Sequence, residues 1–254
     1  MKQLKSDAAV IGYGTVGKAT ADAYGIYNYY DLKGSNITLE EASKLRFVFI
    51  CLPTPIKDGR CYTRDIDAIV RQIRGYGTNP ILVLRSTVIP GTTANLREKY
   101  GVEIVHLPEF GCAKTASRDA REPAVIVVGG AGNKQVRNAV VGLHEGANCP
   151  IIETDSTTSE TIKYAYNCWF TTKVVFANQI YDICQRSGAD YQKVKEAFEA
   201  HPWIGENHWE IYHDGYRGAK GACLPKDTEA FNSYQPFPLL KKVIQLNREY
   251  WHKK

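Results

Sequence analysis

Of the seven cysteines in this chain, one has a setting suited to covalent chemistry. Cys223 lies in Gly218-Ala219-Lys220-Gly221-Ala222-Cys223-Leu224-Pro225-Lys226-Asp227-Thr228. Small residues ahead of it let a ligand approach the backbone. Pro225 suits the first turn of a helix, where an N–H would lack a partner. A thiol at a helix N-terminus, with Lys226 nearby in sequence, has its thiolate stabilised. That prepares a covalent nucleophile. The competing reading is a small buried hydrophobe, the commoner state of an intracellular cysteine. Cys51 fits it, within the apolar run Phe47-Val48-Phe49-Ile50-Cys51-Leu52, and Cys168 and Cys184 fall in a helical pattern.

Two further constellations carry chemistry. Lys163 and Asn167 are four residues apart, so in a helix they share a face. An ammonium and an amide side by side can hold a reacting oxygen; a solvated helix face is the plainer alternative. The other constellation is Gly12-Tyr13-Gly14-Thr15-Val16-Gly17, a full GxGxxG. Its first glycine allows a tight turn, its second lets a pyrophosphate near the backbone, and its third permits close helix packing. It follows the apolar run Ala8 to Ile11 and opens a helical stretch from Lys18 to Tyr24. A second strand-like run, Ile26 to Tyr30, ends in Asp31, about 20 residues on. Such an acid can accept both ribose hydroxyls and repels a 2′-phosphate, so NAD is favoured over NADP. A glycine-rich turn in an unrelated α/β protein is the alternative.

The elements that must position these groups follow from the apolar pattern. Strand-like runs recur at Arg46 to Leu52, Ile81 to Leu84, Val102 to His106, Ala124 to Val128 and Pro150 to Glu153. Helical patterns fall between some of them, notably Asp65 to Arg74 and Lys134 to Leu143. The alternation predicts an α/β fold with a Rossmann-type, doubly wound, mostly parallel sheet over residues 1–153. Two strand ends carry polar signatures where a cofactor would lie, Pro53-Thr54-Pro55 and Ser86-Thr87-Val88-Ile89-Pro90-Gly91-Thr92. Residues 154–254 read as an α-helical domain. Thr157-x-x-Glu160 has the form of a capping box, and one long helix is expected over 157–187, stopped by Gly188. Asp190 is the expected N-cap of a following helix to about Ala200. The tail from Leu239 to Trp251 is amphipathic, with Leu240, Val243, Ile244 and Trp251 on its apolar face.

Taken in order, these segments resemble the UDP-glucose/GDP-mannose dehydrogenase family. The matching stretches are Gly12 to Gly17, Ile50 to Pro55, Ser86 to Thr92, Pro108-Glu109-Phe110, Glu160 to Asn167, and Cys223 to Thr228. The resemblance implies NAD-dependent, four-electron oxidation of a sugar or nucleotide-sugar C6 alcohol to a carboxylate, through a thiohemiacetal and a thioester on Cys223. It implies that Lys163 stabilises the oxyanion, that Asn167 helps hold it, and that Asp227 orients water or moves a proton. Thr87 is expected beside the nicotinamide, Glu109 in the catalytic set, and Lys226 near the cofactor. Cofactor contacts are expected from Gly12, Tyr13, Gly14, Thr15, Val16, Gly17, Asp31, Pro53, Thr54, Ser86, Thr87 and Lys226. The family forms dimers through its long central helix, here 157–187, and a homodimer is expected.

Two departures qualify this. A second family glutamate, four residues after the one matching Glu109, is replaced by Ala113. The family also continues into a third, nucleotide-gripping domain, whereas this sequence ends at Lys254. Two alternatives therefore stand beside the first reading. One is a two-electron β-hydroxyacid-type dehydrogenase, which shares the Lys-x-x-x-Asn pair and does not need Cys223. The other is a catalytically impaired NAD-binding partner of a full-length homologue.

Composition fits a small-molecule enzyme. The 254 residues are 44% hydrophobic and 23% charged, with a net charge of +5. No Lys/Arg block exceeds a pair, so no nucleic-acid partner is implied. No cysteine or histidine cluster has metal-ligand spacing. The odd, irregularly spaced cysteines suit a reducing cytoplasm. No N-terminal signal region is visible, and no apolar run approaches the ~20 residues of a membrane span.

Overall fold

The computed structural model describes residues 1–130 and 132–253. Two compact units emerge. The first comprises residues 1–55 and 61–163, the second residues 56–60 and 164–254.

The first unit is built around a seven-stranded sheet. In chain order its elements begin with β1 (Lys5–Ile11), α1 (Thr15–Tyr24), β2 (Ile26–Tyr30), α2 (Leu39–Ser43) and β3 (Phe47–Ile50). A two-residue hairpin, β4 (Ile56–Lys57) and β5 (Arg60–Cys61), precedes α3 (Arg64–Gly75). Then come β6 (Ile81–Leu84), α4 (Thr92–Tyr100), β7 (Ile104–His106), α5 (Ala116–Arg121), β8 (Ile126–Gly129), α6 (Lys134–Val141) and β9 (Ile151–Thr154). The strand order is β2-β1-β3-β6-β7-β8-β9. Every pairing is parallel except β7 with β8, which meet antiparallel at His106 and Gly129.

Alternate residues of each strand feed opposite faces of the sheet, because successive side chains point to opposite sides. Val10, Phe47, Phe49, Val83, Val105 and Val128 pack one core with Ala21 and Tyr24 of α1. Ile11, Val48, Ile50, Leu82, Leu84 and Ile104 pack the other with Ile66, Val70 and Ile73 of α3. Both faces are covered, so the central strands are apolar throughout.

Register makes the site possible. Ile11 pairs with Tyr30 and with Ile50, Ile50 with Leu84, and Leu84 with His106. The strands therefore end in one row, and the residues after them, Gly12, Asp31, Cys51, Arg85 and Leu107, emerge along one edge. The order reverses at β1, which has β2 on one side and β3 on the other. Open sheets bind ligands beyond the carboxyl ends at such a switch point.

Helix α7 runs from Ser156 to Ser187 and ends at Gly188, whose φ of 76° is left-handed. Its residues up to Lys163 belong to the first unit and the rest to the second, which also holds residues 56–60 of the β4–β5 hairpin, α8 (Tyr191–Glu199), the short pair β10 (Tyr212–His213) and β11 (Tyr216–Arg217), α9 (Leu224–Tyr234) and α10 (Pro238–Tyr250). Asp190 caps α8, its side chain accepting from Gln192 N. Leu240 and Val243 of α10 are buried, but the buried face continues through Asn247 and Tyr250, while Ile244 is only half-buried.

The start of α7 departs from the expected capping box. Asp155 is the carboxylate at its N-terminus, accepting from Thr158 N at 2.8 Å and Thr158 Oγ1 at 2.6 Å. Glu160 turns inward and is fully buried. It accepts from Gly91 N at 2.5 Å, Thr93 N at 2.8 Å and Thr93 Oγ1 at 2.6 Å. A helix more than 60 residues earlier in the chain supplied a better partner for Glu160 than its own first turn: the unpaired N–H groups that open α4. Burial outweighs these hydrogen bonds and raises the Glu160 pKa to about 6.

Candidate active site

In the first unit the glycine turn is fixed by close packing. Gly12 has φ of 87°, and a Cβ there would lie 2.7 Å from Cys51 O. A Cβ on Gly17 would lie 1.9 Å from Gly12 O, so that glycine lets α1 close on its own turn. Around a Cβ at Gly14 there is open space. This is the position where a pyrophosphate needs room, and the first N–H groups of α1, from Thr15 and Val16 onward, point toward it. Asp31 Oδ2 accepts from Tyr13 N at 2.7 Å and Oδ1 from Lys33 N at 2.9 Å. These backbone N–H groups hold its carboxyl below the usual carboxylate range. The acid is thus ionised and pre-aimed. The Tyr13 and Tyr29 rings stack at 4.0 Å beside it. The donor set and the open position at Gly14 fit NAD.

The neighbouring strand ends are tied to one another. Thr54 Oγ1 donates to Thr87 O at 2.7 Å, and Ser86 Oγ to Leu52 O at 2.7 Å. Thr54 and Ser86 are buried and Pro53 is exposed, so the hydroxyls brace the loops while the proline faces outward. Cys51 is core, as its sequence setting suggests, and burial pushes its thiol up to about 11.

Lys163 is buried, not on a solvated face. Its Nζ pairs with Glu109 Oε1 at 3.1 Å and sits 5.5 Å from the Phe110 ring centre. Glu109 Oε2 accepts from Gly111 N at 2.8 Å, which fixes the carboxylate at the mouth of the loop after β7. That loop closes on Asp119, whose Oδ2 accepts from Cys112 N and Thr115 Oγ1. Ala113 is exposed in its turn.

In the second unit Asn167, also buried, donates from Nδ2 to Asp227 Oδ2 at 2.5 Å. Asp227 lies in the first turn of α9 and pairs with Lys226 through its other oxygen. Thr171 and Thr228 meet beside them at 2.8 Å. Cys223 is exposed at the N-cap of α9, with Pro225 in the first turn. Cys168 is buried, and desolvation drives its thiol up to about 12.

The run of small residues before Cys223 is anchored from α10 by Asn247, which the sequence did not single out, and by Trp251, which it had placed only on an apolar face. Asn247 of α10 accepts from Ala219 N at 2.7 Å and donates to Ala219 O at 2.8 Å. Trp251 Nε1 donates to the same carbonyl at 2.8 Å. Gly218 has φ of 77°, and a Cβ there would press on Asn247 Oδ1 at 2.9 Å. Arg217 is buried and donates to Asn178 Oδ1, Asn178 O and Asp182 Oδ1. Polar residues on an amphipathic tail ordinarily mark its wet face, so Asn247 carried no signal in sequence.

A doubly wound sheet with a glycine turn at its switch point and an acid after β2 defines a dinucleotide-binding protein of the Rossmann class. Two family models extend this over the chain. The NAD binding domain of the UDP-glucose/GDP-mannose dehydrogenase family matches residues 25–147, and the family's central domain matches 157–249. UDP-glucose 6-dehydrogenase of Bacillus subtilis is 34% identical over 215 residues, which are 79% of this chain and 48% of that protein. GDP-mannose 6-dehydrogenase of Pseudomonas savastanoi is 32% identical over 238 residues, 85% of this chain and 53% of that one. A solved UDP-glucose dehydrogenase from Pyrobaculum islandicum superimposes with a TM-score of 0.82 at 25% identity, covering 95% of this chain and 68% of its own. The chain belongs to the UDP-glucose/GDP-mannose dehydrogenase family. It spans about half the length of the curated relatives it matches. No helix among the described residues is long and apolar enough to cross a membrane.

Proposed function

We propose that the chain carries the catalytic half of an NAD-dependent nucleotide-sugar 6-dehydrogenase, with a cofactor domain over residues 1–153 and a helical domain over 154–254. The observation that carries the reading is the exposed Cys223 at the opening of α9, within the family's most specific segment. NAD, when bound, supplies the hydride acceptor, twice per turnover. Asp31 binds its ribose, the Gly12 to Gly17 turn receives its phosphates, and Thr87 and Lys226 complete its surroundings. The Cys223 thiolate adds to the aldehyde carbon, forming a C–S bond. Lys163 donates to the resulting oxyanion, and Asn167 helps hold it. After the second oxidation the carbon is a thioester. Water then breaks the C–S bond, releasing carboxylate and thiol, and Asp227 takes the proton. Glu109 holds the Lys163 ammonium in place through their ion pair.

Ala113 removes a carboxylate from the hydrolytic step, so the thioester is expected to accumulate as a burst. A homodimer is part of the reading. Trp169, Phe176 and Ile183 are exposed by 59%, 46% and 49%, and their spacing of seven residues puts them in one stripe on α7. A second copy supplies the apolar face such a stripe needs, and light scattering of the purified protein tests it.

The experiment for the activity is NADH stoichiometry on UDP- and GDP-sugars. Two NADH per carboxylate are expected, and Cys223→Ala should form none of the acid. One NADH per turnover, or parental acid formation by the variant, overturns the covalent scheme.

A further inference from the structure

Arg85 follows β6 directly and is 7% exposed. Its Nε is buried without a hydrogen-bond partner, and among the described residues it forms no ion pair. A buried Nε–H left in this state is costly, because nothing replaces the water it gave up. The nearby groups able to balance it are committed elsewhere. Glu109 is held by Lys163 and Gly111 N. Asp119 is held by Thr115, Cys112 N and Arg118. His144 Nδ1 lies 3.0 Å from Val140 O, so that nitrogen carries the proton. Nε2 then accepts from Tyr24 OH at 2.7 Å, which uses the phenol's only donor.

Arg85 lines a cavity of about 50 Å³. Most of its wall is apolar, with Val16 and Ala19 of α1, Leu107, Phe110 and Ala120 facing the same space. One water needs roughly 10–15 Å³ on this measure, so the space suits an occupant of roughly three or four non-hydrogen atoms. The Nε edge of a guanidinium presents two parallel donors that match a planar carboxylate. The apolar wall suits the carbon end of such a molecule.

We propose that this cavity is a binding site for a short-chain carboxylate of formate or acetate size, held by the Nε edge of Arg85. The site lies against α1 and α5, apart from the open position at Gly14. It needs none of the chemistry assigned to Cys223. Glu109 forms part of the wall and also holds Lys163, so an occupant is placed to act on that ion pair.

Thermal unfolding of the full chain in sodium acetate, against sodium chloride at equal ionic strength, tests the proposal. A saturable rise in Tm is expected with acetate and not with chloride, since a ligand that binds only the folded state stabilises it by mass action. Saturation-transfer NMR should show magnetisation passing from the protein to the acetate methyl protons. Arg85→Met should abolish both signals while folding at least as well as the parent, because it removes a buried charge at similar volume. Arg85→Lys, which keeps the charge and loses the fork, should weaken acetate by about tenfold. It also serves if the methionine variant does not fold. No saturable rise, an equal rise with chloride, or acetate binding that survives both substitutions overturns the site.

Discussion

Glu160→Ala is expected to unfasten α4 and destabilise the first unit. The carboxylate receives three donors, Gly91 N, Thr93 N and Thr93 Oγ1, and is itself fully buried. Truncation leaves those donors without a partner and without water to replace it. Each buried unsatisfied donor costs about 1–3 kcal/mol, and the three share one relaxation, so a total of about 4 kcal/mol is expected. At 2–4 °C per kcal/mol for a domain of this size, Tm should fall by about 8–16 °C. Glu160→Gln, which retains one acceptor oxygen, should lose about half as much. All four tryptophans lie in the second unit, so fluorescence is the wrong probe. Hydrogen exchange of peptides covering residues 91–101 reads α4 directly, with calorimetry for Tm. A loss below about 1 kcal/mol, or unchanged exchange there, would mean that α4 does not depend on this carboxylate.

Acidity should act on stability in opposing directions. The Glu160 pKa is raised from 4.5 to about 6, so its contribution is full below 4.5 and is lost as pH rises through 6. Burial pushes His106 down to about 3 and His144 and His208 to about 4, so their contributions are full above 6.5 and fade as pH falls. Three histidines outweigh one glutamate, and the urea midpoint should drop between pH 6.5 and 5; a rising midpoint would refute the assignment. Asp31→Asn should weaken NAD by about tenfold or more and narrow the preference over NADP, since it removes a charge-assisted acceptor; calorimetric titration with an unchanged NAD-to-NADP ratio would rule that out. Arg217→Met should cost about 3–5 kcal/mol, because Asp182 and Asn178 lose a buried partner. Tryptophan fluorescence in urea measures it, and a midpoint equal to the parent's would contradict the role.

Local pattern made the sheet legible, and long-range partners were what it left out. Ile81 to Leu84 and Ile26 to Tyr30 coincide with β6 and β2, because short apolar runs between turn residues have few other fates. Helices α2 and α5 carried too few apolar residues to register, although Thr38 and Glu41 form a full capping box at α2. Helix α4 was hidden behind Ser86 to Thr92, which read as a polar strand end facing a cofactor rather than as the opening of a helix. The same limit applies at the site. Gly17 and Asp31 act through the glycine turn and its near neighbours, whereas Gly12 is sealed by Cys51 O at the end of β3. Lys163 is buried because of Glu109, 54 residues earlier, and Glu160 left its expected cap for donors 67 and 69 residues away. Such partners exist only once the sheet has brought them together.

The three glycines of the cofactor turn would separate under selection. Positions 12 and 17 are sealed by the backbone itself, with 2.7 Å and 1.9 Å left for a side chain. A library screened only for folded protein should therefore keep glycine at both. Gly14 has φ of −79° and empty space around it, so folding alone permits other residues there. Glycine retained at position 14 would be the imprint of a ligand, recorded by the chain's own mutational tolerance.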